Sequence, residues 1–129
     1  MDRNCAEPLI PDAFRALMAE KNWTTEHLGA RWLLGVRRVQ QIVVDPYRSR
    51  YFDDALRGAP AWSGLQESPA PLPADEFLAL MKAKGWTTER LGKRWLLGVR
   101  RIQQVVVDPH RSRYFDDALR GLPEWVNDQ

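Results

Sequence analysis

Val36-Arg37-Arg38-Val39-Gln40-Gln41 is the segment of this chain whose side chains could carry recognition chemistry. A guanidinium donates two parallel hydrogen bonds to guanine O6 and N7, and a carboxamide pairs with adenine N6 and N7. Arginine and glutamine exposed on one helix face are therefore the residue types a reader of duplex DNA needs. The set returns unchanged as Arg100, Arg101, Gln103 and Gln104, after Val99. Other exposed positions have drifted between the two occurrences, as in Ala19 against Lys82, Glu20 against Ala83 and Ala30 against Lys93. Charge gathers around the same segments. Residues 31–50 carry +4 and residues 93–113 carry +5, leaving about −7 elsewhere in a chain of net charge +2. A basic stripe with acid segregated away from it is the footprint of a phosphate-binding face. Arg31, Lys93 and Arg94 belong to that stripe as expected phosphate contacts.

The recurrence extends well beyond this segment. Shifted by 63 residues, Phe14–Trp62 falls on Phe77–Trp125 without a gap, and 38 of 49 positions are identical. Between the copies, residues 63–73 are rich in Pro, Ser and Gly and read as an extended linker with no core of its own. The chain thus divides into 1–62, a linker 63–73, and 74–129. Each copy is near the lower size limit for independent folding. Three tryptophans per copy supply the large apolar areas so small a core needs, and all six are expected inside.

Helical spacing accounts for each copy. Phe14, Leu17 and Met18 stand at i, i+3 and i+4, on a helix expected to be capped by Asp12, or by Asp75 in the second copy. Thr24 is a good N-cap for a second helix carrying Leu28 and Trp32 inward, with Glu26 in its positive first turn. Leu33-Leu34-Gly35 interrupts. A third helix, Val36–Val43, buries Val39 and Ile42 and leaves Arg37, Arg38, Gln40 and Gln41 outside, until Pro46 closes it. Ser49 is positioned to cap a fourth, Arg50–Arg57, ended by Gly58. No segment reads as a strand. The expected fold is all-α: two tandem four-helix modules, each containing a helix-turn-helix.

Two short helices joined by a three-residue turn, the second with a polar reading face, form the helix-turn-helix unit. From Thr24-Thr25-Glu26-His27-Leu28-Gly29 through Val39-Gln40-Gln41-Ile42, the chain resembles the Cro/repressor-like (lambda-repressor-like) regulators of phages, plasmids and bacteria. It departs from them at Leu33 and Leu96, where the turn usually carries glycine, and in holding both readers on one chain. The resemblance implies base contacts from Val36, Arg37 and Gln41, with Arg38 and Gln40 flanking them. It implies phosphate contacts from Thr25 and from Arg48, Ser49 and Arg50. In the second copy the corresponding residues are Val99, Arg100, Arg101, Gln103 and Gln104, with Thr88, Arg111, Ser112 and Arg113 on phosphate.

The expected partner is double-stranded DNA with two similar half-sites about one helical turn apart. Eleven to fifteen extended residues reach at most about 35–50 Å, enough for successive major-groove faces about 34 Å apart. Sequence leaves inverted and direct arrangements equally open. It also leaves open whether the chain acts as a monomeric pseudo-dimer or as a homodimer. The function implied is a repressor or autoregulator in the cytoplasm of a bacterium, encoded by the bacterium, a phage or a plasmid. The alternatives are plasmid partition or nucleoid organisation, and a scaffold presenting Tyr51, Phe52 and Trp62 to a protein partner. Catalysis is not expected, since no metal-ligand pattern, phosphate loop or nucleophile motif is present. Asp53-Asp54 and Asp116-Asp117 are adjacent helix positions that point apart and read as helix-dipole acid. No cofactor is expected, and neither is a membrane span. The lone Cys5 reads as an incidental thiol in an N-terminal tail.

Overall fold

In a computed structural model that describes residues 8–64 and 70–125, the chain is all-α. Eight helices run through the described residues: α1 (Pro11–Glu20), α2 (Thr25–Trp32), α3 (Val36–Val44), α4 (Tyr51–Gly58), α5 (Ala74–Ala83), α6 (Thr88–Trp95), α7 (Val99–Val107) and α8 (Tyr114–Arg120). The linker centre, Cys5 and the last four residues lie outside the described residues.

Local chemistry sets most boundaries. The hydroxyls of Thr24 and Thr87 accept from the His27 and Arg90 amides at 3.1 and 3.2 Å, the side-chain caps the sequence calls for. Three expected caps are not made. α1 begins at Pro11 after an uncapped Ile10, α5 follows Pro73, and α4 follows Arg50 with no side-chain cap. Proline at N1 needs no cap for its missing amide hydrogen. The Ser49 contribution is its carbonyl, which accepts from the Phe52 amide at 3.1 Å.

Phe14, Leu28, Trp32, Val39 and Leu56 are buried, as are Phe77, Leu91, Trp95, Ile102 and Leu119 at the repeated positions, and all belong to one hydrophobic cluster. α1 packs on α3 and α4 while α2 packs on α3; α5, α6, α7 and α8 follow the same pattern. Four tryptophans are buried, and Trp62 and Trp125 are only partly so, lying against Trp23 and Trp86. A lysine ties off each copy. The Lys21 ammonium donates to the Leu56, Arg57 and Ala59 carbonyls at 2.6–2.8 Å, and Lys84 to Leu119, Arg120 and Leu122 at 2.6–2.9 Å. A cation on the last carbonyls of α4 and α8 complements the negative end of each helix. Burial lowers the pKa of both ammonium groups from the usual lysine value.

The most extensive helix pairing in the molecule joins the two copies, α4 against α8. Its aromatic contacts come in mirror pairs. Tyr51 stacks on Tyr114 with centroids 5.1 Å apart and planes 2° from parallel, so a pseudo-two-fold axis passes between the rings. Trp95 meets Tyr51 edge-on at 6.2 Å, and Trp32 meets Tyr114 at 6.3 Å. Tyr51 and Phe52, candidates on sequence for an external protein surface, are thus engaged by the other copy of the same chain. Gly58 and Gly121 allow this approach: a Cβ on either would stand 1.8 Å from the Asp117 or Asp54 carbonyl oxygen. Gly58 reads on sequence as a helix-ending residue, but the seam is what requires it.

Candidate nucleic-acid interface

The α3 helix is fixed from beneath and open above. Val39, Ile42 and Val43 are buried, whereas Arg37, Arg38, Gln40 and Gln41 are exposed and Val36 is 37% exposed. α7 repeats this with Ile102, Val105 and Val106 below and Arg100, Arg101, Gln103 and Gln104 above. Branched side chains every three to four residues bind one face to the core, so the arginines and glutamines must point outward. The turns before these helices are tight. Leu33 and Leu96 take left-handed backbone, at φ 55° and 57°, the geometry glycine ordinarily supplies. The Leu34 amide closes the turn on the Gly29 carbonyl at 2.9 Å, and a Cβ at Gly29 would stand 2.7 Å from the Leu34 carbonyl oxygen. The Arg101 guanidinium lies 5.9 Å from the Phe115 ring, which steadies it beside the seam.

Four expected phosphate contacts are corrected. Arg31 and Arg94 are buried, and each grips a carboxylate of the other copy with two hydrogen bonds of 2.7 Å: Arg31 on Asp117, Arg94 on Asp54. Trp32 and Trp95 indole N–H groups add a third bond of 2.9 Å to the same carboxylates. Arg120 and Arg57 add another, at 3.1 Å. Arg48 and Arg111, each 4% exposed, bond Asp53 and Asp116 at 2.9 Å and stand over the Phe14 and Phe77 rings. Their remaining donors reach the Asp45 and Leu9 carbonyls, or Asp108 and Leu72. A carboxylate this deep requires a partner, and the nearest guanidinium is drawn in to supply it. The stretch expected as linker is likewise anchored at its end, with the Leu72 amide donating to Asp116 at 3.1 Å as Leu9 does to Asp53 at 3.0 Å.

The other candidates remain near the surface. Ser49, Ser112 and Lys93 are exposed, while Thr25, Thr88, Arg50 and Arg113 are half-buried. Ser49 and Ser112 lie in loops folded alike in both copies: Asp45 Oδ1 accepts from the Tyr47 amide, and Asp108 Oδ1 from the His110 amide, both at 2.8 Å. Each loop faces the turn of the opposite copy across an open cleft, one bounded by Tyr47, Leu96 and Leu97, the other by His110, Leu33 and Leu34. Burial is the largest influence on the Tyr114 phenol and raises its pKa above the usual tyrosine value.

Sequence reasoning missed Asp54, Asp117, Tyr51, Tyr114, Gly58 and Gly121 as the residues that join the two copies. One signal was available: Tyr-Phe-Asp-Asp-Ala-Leu-Arg-Gly occurs intact in both copies, with small residues one and four positions after the second aspartate. Among the described residues no group of three or more His, Cys, Asp or Glu could hold a metal ion, and no helix is long and apolar enough to cross a membrane. The chain matches no family model, no curated protein and no solved structure.

Proposed function

We propose that residues 1–62 and 74–129 are two helix-turn-helix modules, and that the chain is a sequence-specific double-stranded DNA-binding regulator, a repressor or autoregulator that acts by occupying a promoter. Helices α3 and α7 enter successive major grooves, with Arg37, Arg38, Gln40, Gln41 and their counterparts on base edges. Thr25, Ser49, Arg50, Thr88, Lys93, Ser112 and Arg113 remain as phosphate contacts. The observation that carries this reading is the reciprocal seam: Arg31 on Asp117 mirrors Arg94 on Asp54, while both Arg/Gln faces stay exposed. Contacts of i with j and j with i define a two-fold relation. Two identical readers related that way read the same short sequence on opposite strands, so the favoured target is an inverted repeat. The seam also makes the second contact nearly intramolecular in cost, which raises affinity without a new contact.

Selection of bound duplexes from a random pool is the test. The expected product is one short motif occurring twice, inverted, at a fixed spacing of about one helical turn. Direct repeats, or retention on DNA with no sequence preference, would overturn the reading.

A further inference from the structure

A chain that joins two readers can hold an asymmetry that a homodimer cannot. From Arg31 to Gly58 against Arg94 to Gly121, three positions differ, and two of them are interchanged core residues: Val39 for Ile102 and Ile42 for Val105, all buried. The third is Tyr47 against His110, exposed in both copies, with Tyr47 92% exposed. Across these 28 positions it is the one difference that solvent or a ligand can meet; Lys93 against Ala30, just before them, adds only a phosphate contact, which carries no base information. The backbone beneath it is the same in both copies, because the same aspartate turn holds each amide at 2.8 Å. Only the side chain distinguishes the sites.

The seam also crosses the copies over. Tyr47 borders a cleft with Leu96 and Leu97, the turn leading into α7, and His110 borders the matching cleft with Leu33 and Leu34, ahead of α3. We infer that Tyr47 and His110 are the specificity-determining pair that breaks the two-fold symmetry of recognition: Tyr47 acts on the DNA beside the half-site read by α7, and His110 beside the half-site read by α3. A phenol brings a large apolar ring with one hydroxyl, and an imidazole a shorter ring with two nitrogens. The same flanking nucleotides cannot suit both equally, so the chain settles on an inverted repeat of unequal flanks in one orientation. This inference rests on the DNA-reading proposal above.

Tethered cleavage decides it. Cys5 is the sole cysteine in the sequence, and Pro8 borders the Tyr47 cleft. An iron–EDTA group on the new thiol of a Cys5→Ser/Pro8→Cys chain, otherwise natural, therefore marks the α7 half-site on duplexes selected with the natural chain. Cutting is expected to favour one end by at least about fivefold, the low end of what one ill-suited base pair costs a specific complex. Tyr47→His and His110→Tyr, each checked for unchanged helicity, should cut both ends equally. The double exchange Tyr47→His/His110→Tyr should move cutting to the opposite end. Equal cutting by the natural chain, or a double exchange that leaves the favoured end in place, overturns this inference while binding itself persists. Failure of the natural chain to bind any duplex would instead remove the DNA-reading proposal, and this inference with it.

Discussion

The seam and the exposed Arg/Gln faces are made of similar side chains in opposite surroundings. Both carry arginines, both are duplicated without change, and they lie only a few residues apart in sequence. At the seam, Arg31 and Arg94 are buried on aspartates, whereas Arg37, Arg38, Arg100 and Arg101 are exposed. Positive charge does not separate the two regions. What separates them is whether a carboxylate waits within reach in the folded state, and Asp54 and Asp117 stand across the seam, on helices of the opposite copy.

The largest effect should come from breaking the seam. Asp54→Ala leaves the Arg94 guanidinium and the Trp95 indole N–H buried without their acceptor, and should cost about 3–5 kcal/mol in denaturant unfolding. Asp117→Ala should match it by symmetry. A loss below about 1 kcal/mol would mean that the seam is not held by its ion pairs. Gly58→Ala tests the same contact sterically: its new Cβ would drive α4 from α8, costing about 1–3 kcal/mol or more.

Next comes the contrast within one loop. Arg48→Ala should lower stability by about 3 kcal/mol, as loss of a buried partner of Asp53. Arg50→Ala should leave stability within about 0.5 kcal/mol and reduce the slope of log affinity against log salt by about one. Equal behaviour of the two would erase the distinction between a structural and a phosphate-contacting arginine in this loop. On the reading face itself, Arg37→Ala or Gln41→Ala should cost about 1–3 kcal/mol of sequence discrimination. Thermal unfolding should scarcely move, and a stability loss in place of a specificity loss would place these side chains with the seam. The smallest effect sharpens the turn. Leu33→Gly removes a left-handed leucine, worth about 1–2 kcal/mol, and adds unfolded-state freedom worth about 0.5–1 kcal/mol. A net gain between about 0 and about 1.5 kcal/mol is expected.

Much of each copy was legible residue by residue. Thr24 and Thr87 announced their helices because a cap needs only an amide three residues away. Val39 and Ile42 against Arg37, Arg38, Gln40 and Gln41 announced the orientation of α3, because helical spacing alone sorts its faces. Arg31, Arg48, Arg94 and Arg111 were not legible as structural residues. Their sequence neighbourhood resembles that of Arg37, and the partners of Arg31 and Arg94 lie 86 and 40 residues away. Adjacent aspartates pointing in different directions gave the right geometry but the wrong purpose, since Asp53 turns to its own loop and Asp54 to the other copy.

By itself the chain's sequence determined that one helical unit is written twice, where α2 and α6 are capped, and which face of each helix is apolar, since these depend on neighbours within a turn or two. Only the tertiary structure decided which arginines remain outside, how the copies are oriented, and why Gly58 and Gly121 must lack a side chain. The reason is distance along the chain: a buried carboxylate and a close helix crossing are settled by groups brought together from opposite copies. No local pattern encodes that meeting.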